Sequence, residues 1–169
     1  MKRLSGPVFA LALLGMAVSA SAQQTGVALG GFKSDPDAPV EVAADKLDLA
    51  QSEGTAIFSG NVVVTQGEMK LTAQQIVVTY LTLPDGSLGT DVDTIAATGD
   101  VVMVTPSEAA EADKAVYTPA RNEVVMSGNV LLTQGVNTLA GERLIVDLVT
   151  GTGQVDGRVR TLLQTGGTE

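Results

Sequence analysis

The sequence predicts an all-β protein with two facing antiparallel sheets, built from about four repeats of about 29 residues each. One observation is a repeated stretch, since Ser59–Gly67 reads SGNVVVTQG and Ser127–Gly135 reads SGNVLLTQG. Another is the alternation of apolar and polar residues on both sides of each repeat's glycine, because a period of two is the period of a β-strand. A fixed repeat length combined with strand alternation indicates an array of similar β units.

Two markers define the repeat. The first is a glycine between polar residues, found at Gly60, Gly99, Gly128 and Gly157, so the last two intervals are equal and the first is longer. The second is a small residue followed by two polar ones, beginning at Ala44, Ala73, Ala112 and Gly141. In the first, third and fourth repeats the glycine stands at i+16 from the start of the second marker. The second repeat is longer, and we assign its extra length to Leu81–Thr90.

The N-terminal residues 1–22 are typical of a secretory signal peptide. Lys2 and Arg3 precede the short apolar run Val8–Val18, and Ala20–Ala22 forms an A-x-A cleavage site. A membrane helix needs about 20 apolar residues, more than this run contains. If it were left uncleaved, however, the segment would tether the domain to the inner membrane. Residues 23–38 are polar and rich in glycine, so they are predicted to form a flexible leader before a β domain at 39–169.

Each repeat is predicted to supply two strands that bend. Strict alternation begins at Val40–Val42. A glycine in the middle of a long strand commonly marks a bend or a bulge, so we expect each marker glycine to be a corner where a strand passes from one sheet to the facing sheet. Four units would then place about eight strands in each sheet, a stack roughly 38 Å long at about 4.8 Å per strand.

The alternating apolar side chains are predicted to face the space between the sheets and to bind lipid. They are Val40, Val42, Leu47, Leu49, Ala56, Phe58, Val62, Val64, Ile76, Val78, Ile95, Met103, Tyr117, Val124, Met126, Leu132, Leu144 and Val146. Aliphatic alternation alone favours a plain core, but stacked bent sheets would form an open-ended trough. A ten-carbon acyl segment would gain about 8 kcal/mol there, whereas a surface phosphate–arginine pair gives about 1 kcal/mol or less.

The composition excludes several functions. Cysteine, histidine and tryptophan are absent, which removes disulfides, the commonest general base and the commonest zinc ligand. We therefore predict no catalytic residue, no metal site and no cofactor. Without Lys2 and Arg3, 8 basic residues face 19 acidic ones, and such a surface repels nucleic acid.

Four stretches resemble the LptA/OstA family of periplasmic lipopolysaccharide (LPS) export proteins of Gram-negative bacteria. They are Val40–Asp45, Gly60–Gly67, Leu71–Tyr80 and Ser127–Gly135. The resemblance implies a twisted, open β-jellyroll whose interior holds the acyl chains of lipid A. It also implies end-to-end stacking by β-augmentation, with further copies of the chain, an LptC-like inner-membrane partner and an LptD-like outer-membrane partner. The stacking ends would be the strands at Val40–Val42 and Val159–Leu163.

The sequence therefore supports the hypothesis of a non-enzymatic periplasmic bridge that carries LPS from the inner to the outer membrane. Two alternatives stay open, namely a membrane-tethered, LptC-like adaptor of the same fold and a structural β-repeat polymer that binds no lipid. Aromatic residues are scarce, so Phe58 and Tyr117 are the largest side chains expected to line the groove.

Overall fold

The structure, a computed structural model, describes residues 26–33 and 38–163 of the chain. The strands are β1 (Gly26–Ala28), β2 (Val40–Ala43), β3 (Lys46–Ala50), β4 (Thr55–Gln66), β5 (Met69–Thr82), β6 (Leu88–Val104), β7 (Glu108–Thr118), β8 (Glu123–Gln134), β9 (Asn137–Asp147), β10 (Thr152–Asp156) and β11 (Arg160–Leu162). Within these residues, no helix is long and apolar enough to cross a membrane. The predicted signal peptide lies outside them.

All the described strands belong to one antiparallel sheet. Its order is β1-β10-β9-β8-β7-β6-β5-β4-β2, with β3 also pairing with β4 and β11 with β9. Strands β2 and β3 pair with the two halves of β4, and β11 and β10 pair with the two halves of β9. Each of these couples is therefore one bent strand that is interrupted at its corner.

The marker glycines are corners, as predicted. Gly60 and Asn61 both have positive φ, 78° and 46°, and together they stand opposite the single residue Gln74 where β4 pairs with β5. Two residues opposite one is the arrangement of a β-bulge, which bends the strand and increases its twist. The same pair of positive φ angles recurs at residues 99–100, 128–129 and 157–158. The corner conformation is therefore repeated in every unit.

The corners fold the sheet into two facing layers. Layer one contains β1, β3 and β10, the first halves of β4, β6 and β8, and the second halves of β5, β7 and β9. Layer two contains β2, β11 and the remaining halves. Among the described residues, eight bent strands thus cross both layers, which confirms the predicted stacking, and β1 adds a further strand to layer one.

The extra residues of the second repeat form the tip of the β5–β6 hairpin. Thr82 pairs with Leu88, and the backbone N–H of Leu83 donates to the carbonyl of Ser87 at 2.8 Å. Asp85 accepts hydrogen bonds from the backbone and the hydroxyl of Ser87, an arrangement that stabilises the turn. The placement of the insertion at residues 81–90 is confirmed.

The prediction of a flexible leader at residues 23–38 is wrong for Gly26–Lys33. Strand β1 pairs with β10, and a 3-10 turn follows at Gly30–Phe32. Leu29 and Phe32 are both 0% exposed. The glycines, read from the sequence as a sign of flexibility, instead let this segment approach its neighbours closely, since a Cβ on Gly31 would lie only 2.6 Å from Thr105 Oγ1. The other leader residues, apart from Ala38, lie outside the described part.

The core lies between the two layers. Its fully buried side chains include Val62, Val101 and Met126, and it also takes in the leader residues Leu29 and Phe32. Val62 follows the corner of β4 and is buried like Ala56 before the corner. The inward-facing set of residues therefore keeps its phase across the glycine.

Candidate functional site

An apolar groove opens between the two layers. Its volume is about 680 Å³ including the space that is open to solvent. Its lining residues are Val40, Val64, Gln66, Met69, Leu71, Ile76, Ile95, Ala97, Met103, Ala115, Tyr117, Val124 and Leu148. No charged residue belongs to this set, so the groove suits an apolar ligand.

The strand register explains why these side chains form a continuous wall. In layer one, Ile95 pairs with Tyr117, which in turn pairs with Val124. In layer two, Leu71 pairs with both Val64 and Met103. Residues paired directly across antiparallel strands point to the same face of the sheet, so each of these rows crosses three neighbouring strands.

Seven of the eighteen residues predicted to bind lipid line this groove. They are Val40, Val64, Ile76, Ile95, Met103, Tyr117 and Val124. Six others are buried in the packed interior, namely Ala56, Val62, Met126, Leu132, Leu144 and Val146. Phe58 and Val78 are partly buried against the core, whereas Val42, Leu47 and Leu49 are exposed on edge strands.

Six lining residues were missed. They are Gln66, Met69, Leu71, Ala97, Ala115 and Leu148. Leu148 continues the alternation forwards from Val146, so an extended count of every second residue would have found it. The same count back from Ile76 misses Met69 and Leu71, because the inward set of β5 changes phase at Gln74, which stands opposite the two bulge residues of β4. Ala97 and Ala115 lie at inward positions too, but their small size gives no sign that they border an open space.

The groove offers little polar chemistry. The polar side chains in its lining are the amide of Gln66 and the phenol of Tyr117. Burial raises the pKa of Tyr117 above its usual value, because the charged phenolate is poorly solvated there. Small residues such as Ala97 and Ala115 leave space between the larger aliphatic side chains. The surroundings therefore stabilise apolar groups and disfavour charged ones.

Exposed apolar residues occupy the edges of both ends of the stack. At the N-terminal end, Leu47 and Leu49 of β3 are 49% and 68% exposed. At the C-terminal end, Leu162 of β11 and the adjacent Leu163 are also exposed. An edge strand presents unpaired backbone groups that can bind another strand, and apolar side chains beside it favour such a contact.

Comparison with known proteins supplies the family. The family model described as LptA/(LptD N-terminal domain) LPS transport protein matches residues 41–152. The chain belongs to this family. The matched range begins in β2 and ends at the first residue of β10, so it contains most of the groove.

Relatives of this LptA/LptD-domain chain are found among curated proteins. An uncharacterized protein of Rhizobium meliloti is 32% identical over 166 residues, covering 91% of this chain and 89% of that protein. The lipopolysaccharide export system protein LptH of Pseudomonas aeruginosa is 31% identical over 121 residues, 68% of this chain and 66% of LptH. The LPS-assembly protein LptD of Yersinia enterocolitica is 43% identical over 63 residues, 37% of this chain and 8% of LptD.

The crystal structure of Pseudomonas aeruginosa LptH has the same fold. The two structures superpose with a TM-score of 0.66 at 22% identity, covering 78% of this chain and 99% of the LptH chain. The predicted open β-jellyroll of an LptA-type protein is therefore confirmed. Family and fold together place the chain among the LPS export proteins.

Proposed function

We propose that this LptA-family protein binds LPS through its acyl chains in the groove between the two layers and carries it across the periplasm. The observation that supports this most directly is the uncharged lining of a groove that remains open in an otherwise packed interior. It carries the lipid without changing it chemically, so the role is non-enzymatic. Export to the periplasm is supported by the signal-like residues 1–22.

The acyl chains, rather than the headgroup, supply the binding energy. Each buried CH₂ contributes about 0.8 kcal/mol, so ten carbons contribute about 8 kcal/mol before the cost of ordering the lipid is subtracted. The phosphates and sugars of LPS stay outside, because none of the described residues that line the groove carries a charge to receive them. Val40 lies on the first strand of layer two, so the groove reaches the N-terminal edge of the domain.

The exposed edges support a bridge made of several jellyrolls. Strands β2 and β3 end the stack on one side; on the other side β11 ends layer two, and β1 lies against β10 in layer one. An edge of a second jellyroll of any origin can add to such an end by β-augmentation. We propose three partners of this kind, namely further copies of this chain, an LptC-like inner-membrane protein and an LptD-like outer-membrane protein. The similarity of a 63-residue stretch to LptD supports the last of these.

Photocrosslinking in cells tests whether lipid occupies the groove. Ile95 lines the groove, whereas its neighbour Ala96 points to the opposite face of the same strand and does not line it. A photoreactive residue at Ile95 is expected to form a covalent adduct with LPS, and one at Ala96 is not. Equal yields at both positions, or none at Ile95, would contradict binding in the groove and favour a structural polymer.

A second pair of variants narrows the groove without adding charge. Ala97→Phe places a ring in the space between the layers, while Ala96→Phe places it on the outer face as a matched control. The first substitution is expected to reduce co-purifying LPS about tenfold or more, because several CH₂ groups of the acyl chains would no longer be buried in the groove. Unfolding in urea checks that both variants are folded. Undiminished LPS in folded Ala97→Phe would contradict the proposal.

A further inference from the structure

Strand β1 is bound at the C-terminal edge of layer one in a defined register. Val27 stands opposite Gly153 and Ala28 stands opposite Thr152 of β10. Thr152 lies five residues before the corner glycine of its unit, Gly157. The leader thus occupies the edge where the stack of layer one would otherwise end at β10.

Strand β3 makes the same contact at the opposite end of the stack. Leu49 stands opposite Ala56 and Ala50 stands opposite Thr55 of β4. Thr55 also lies five residues before its corner glycine, Gly60. Val27–Ala28 therefore hold the same place on the last unit that Leu49–Ala50 hold on the first.

Direction and local structure agree with this equivalence. Strand β1 is antiparallel to β10, as β3 is antiparallel to β4. A 3-10 turn follows each of them, at Gly30–Phe32 after β1 and at Gln51–Glu53 after β3. In a second copy added at the C-terminal end, β3 is the strand that would have to take the place of β1.

Specific contacts hold the leader in place. The backbone N–H of Leu29 donates to the carbonyl of Gly151 at 2.7 Å, and the Gln134 side chain donates to the carbonyl of Ala28 at 3.0 Å. The side chains of Leu29 and Phe32 are buried between the layers. The segment therefore covers the edge of β10 and also fills the interior next to it.

Gly153 makes room for the leader. The equivalent position, four residues before the corner glycine, is Ala56, Ile95 or Val124 in the other repeats. A Cβ at Gly153 would overlap the side chain of Leu29. The last unit thus lacks the inward side chain that its counterparts carry, and Leu29 fills the space.

With the leader bound at this edge, one oxygen of the Glu108 carboxylate is buried without a hydrogen-bond partner among the described residues. Glu108 is 6% exposed; its Oε1 accepts a hydrogen bond from Gln134 at 2.7 Å, whereas its Oε2 has no partner within the described part of the chain. A Cβ on Gly31 would lie 2.8 Å from Oε2, so the leader lies directly over this carboxylate. Lifting the leader would hydrate it, which favours opening.

We propose that Gly26–Lys33 is an intramolecular plug that competes with β3 of a second copy for the edge of β10. The inference rests on the end-to-end association proposed above and adds the step that controls it. Association through this edge requires the plug to leave, so the observed affinity between copies equals the intrinsic affinity multiplied by the fraction of molecules in which the plug is open.

Cysteine pairs test the competition, because the natural sequence contains no cysteine. One preparation carries Ala50→Cys and the other Thr152→Cys, and the two are mixed under mild oxidation without lipid. The Thr152→Cys protein is made with the plug intact and with the plug weakened by Gly153→Ala or by Phe32→Asp. Ala96→Cys replaces Ala50→Cys as a control for collisions between surfaces. A separate chain carries both Ala28→Cys and Thr152→Cys. Because these two positions stand opposite each other when the plug is bound, the rate at which their disulfide forms reports whether the plug is closed.

Weakening the plug is expected to slow the internal disulfide and to raise the Ala50–Thr152 heterodimer about tenfold, if the open state is about a tenth populated in the natural protein. Equal heterodimer yields with the plug open and closed overturn the proposal, as does an equal yield from the Ala96→Cys control. If the internal disulfide forms as fast with Gly153→Ala and with Phe32→Asp as it does with the plug intact, the role of Leu29 and Phe32 is overturned. If no variant forms the heterodimer, association through β3 is refuted as well as the plug. Lipid binding is tested independently, by LPS crosslinking at Ile95.

Discussion

The side-chain amide of Asn61 donates a 2.8 Å hydrogen bond to Oδ2 of Asp45, which lies 16 residues earlier in the chain. The backbone N–H of Asp45 also donates to the carbonyl of Gly60 at 3.0 Å. Asn129 and Asp113 repeat the side-chain bond at 2.9 Å. The two markers that define the repeat in the sequence are thus the two halves of one corner, and the separation that they share in the first, third and fourth repeats follows from cross-strand pairing.

Replacing Asn61 with alanine is expected to destabilise the domain. Asn61 has a φ of 46°, in which alanine is strained by roughly 1–2 kcal/mol, and the lost hydrogen bond adds about 1 kcal/mol. Asn61→Gly is the matched control, because glycine adopts this φ without strain but also lacks the amide. Urea unfolding should rank the natural protein above the glycine variant and the glycine variant above alanine. Equal stability of the two variants would show that backbone strain is unimportant.

Gly99→Ala is expected to cost more than a substitution at an ordinary turn glycine. Gly99 has a φ of 79°, and an added Cβ would lie 2.8 Å from Cβ and Cγ of Gln74. Gly86 has a similar φ of 84°, but an added Cβ there would meet nothing within 4 Å. Gly86→Ala should cost about 1 kcal/mol, and Gly99→Ala at least about 1 kcal/mol more because of overpacking. Equal losses in urea unfolding would contradict close packing at the corner.

Tyr117 should report on occupancy of the groove. Burial already raises its pKa, and acyl chains beside it would remove more water and raise the pKa further. Because the neutral phenol is favoured in the folded state, this contribution to stability is present below about pH 10 and is lost as the pH rises through the folded-state pKa. In Tyr80→Phe, Tyr117 is the single remaining tyrosine. A phenolate absorbance titration that is unchanged by bound LPS would contradict contact with lipid.

Asp147 should link the stability of the C-terminal hairpin to pH. Backbone N–H groups of Thr150 and Val149 donate to its carboxylate, and these hydrogen bonds lower its pKa. The contribution to stability is therefore present above about pH 4, the usual value for aspartate, and is lost as the pH falls through the lowered folded-state pKa. Asp147→Asn should be less stable than the natural protein at pH 7, with a difference that shrinks in acid. A constant difference in urea unfolding across this range would show that ionisation is not the cause.

Particular residues show how much of this structure the sequence could predict. The corners at Gly60 and Gly99 were predictable, because positive φ favours glycine and the repeat fixes the position. The plug was not, since Leu29 and Phe32 lie outside the repeat and among glycines. The extent of the groove was not predictable either. Whether an inward residue such as Met126 is packed or faces open space depends on the opposite layer, which alternation along one strand does not describe.

The even number of bent strands in the described part of the chain has a consequence for assembly. The last strand of the stack runs opposite to the first, so a copy placed behind another continues the antiparallel ladder without any reversal. The joint between two molecules would then have the same backbone geometry as the joint between two repeats. The joint itself sets no limit on the number of copies, so the length of such a filament depends on the fraction of open plugs and on the proteins that cap its two ends.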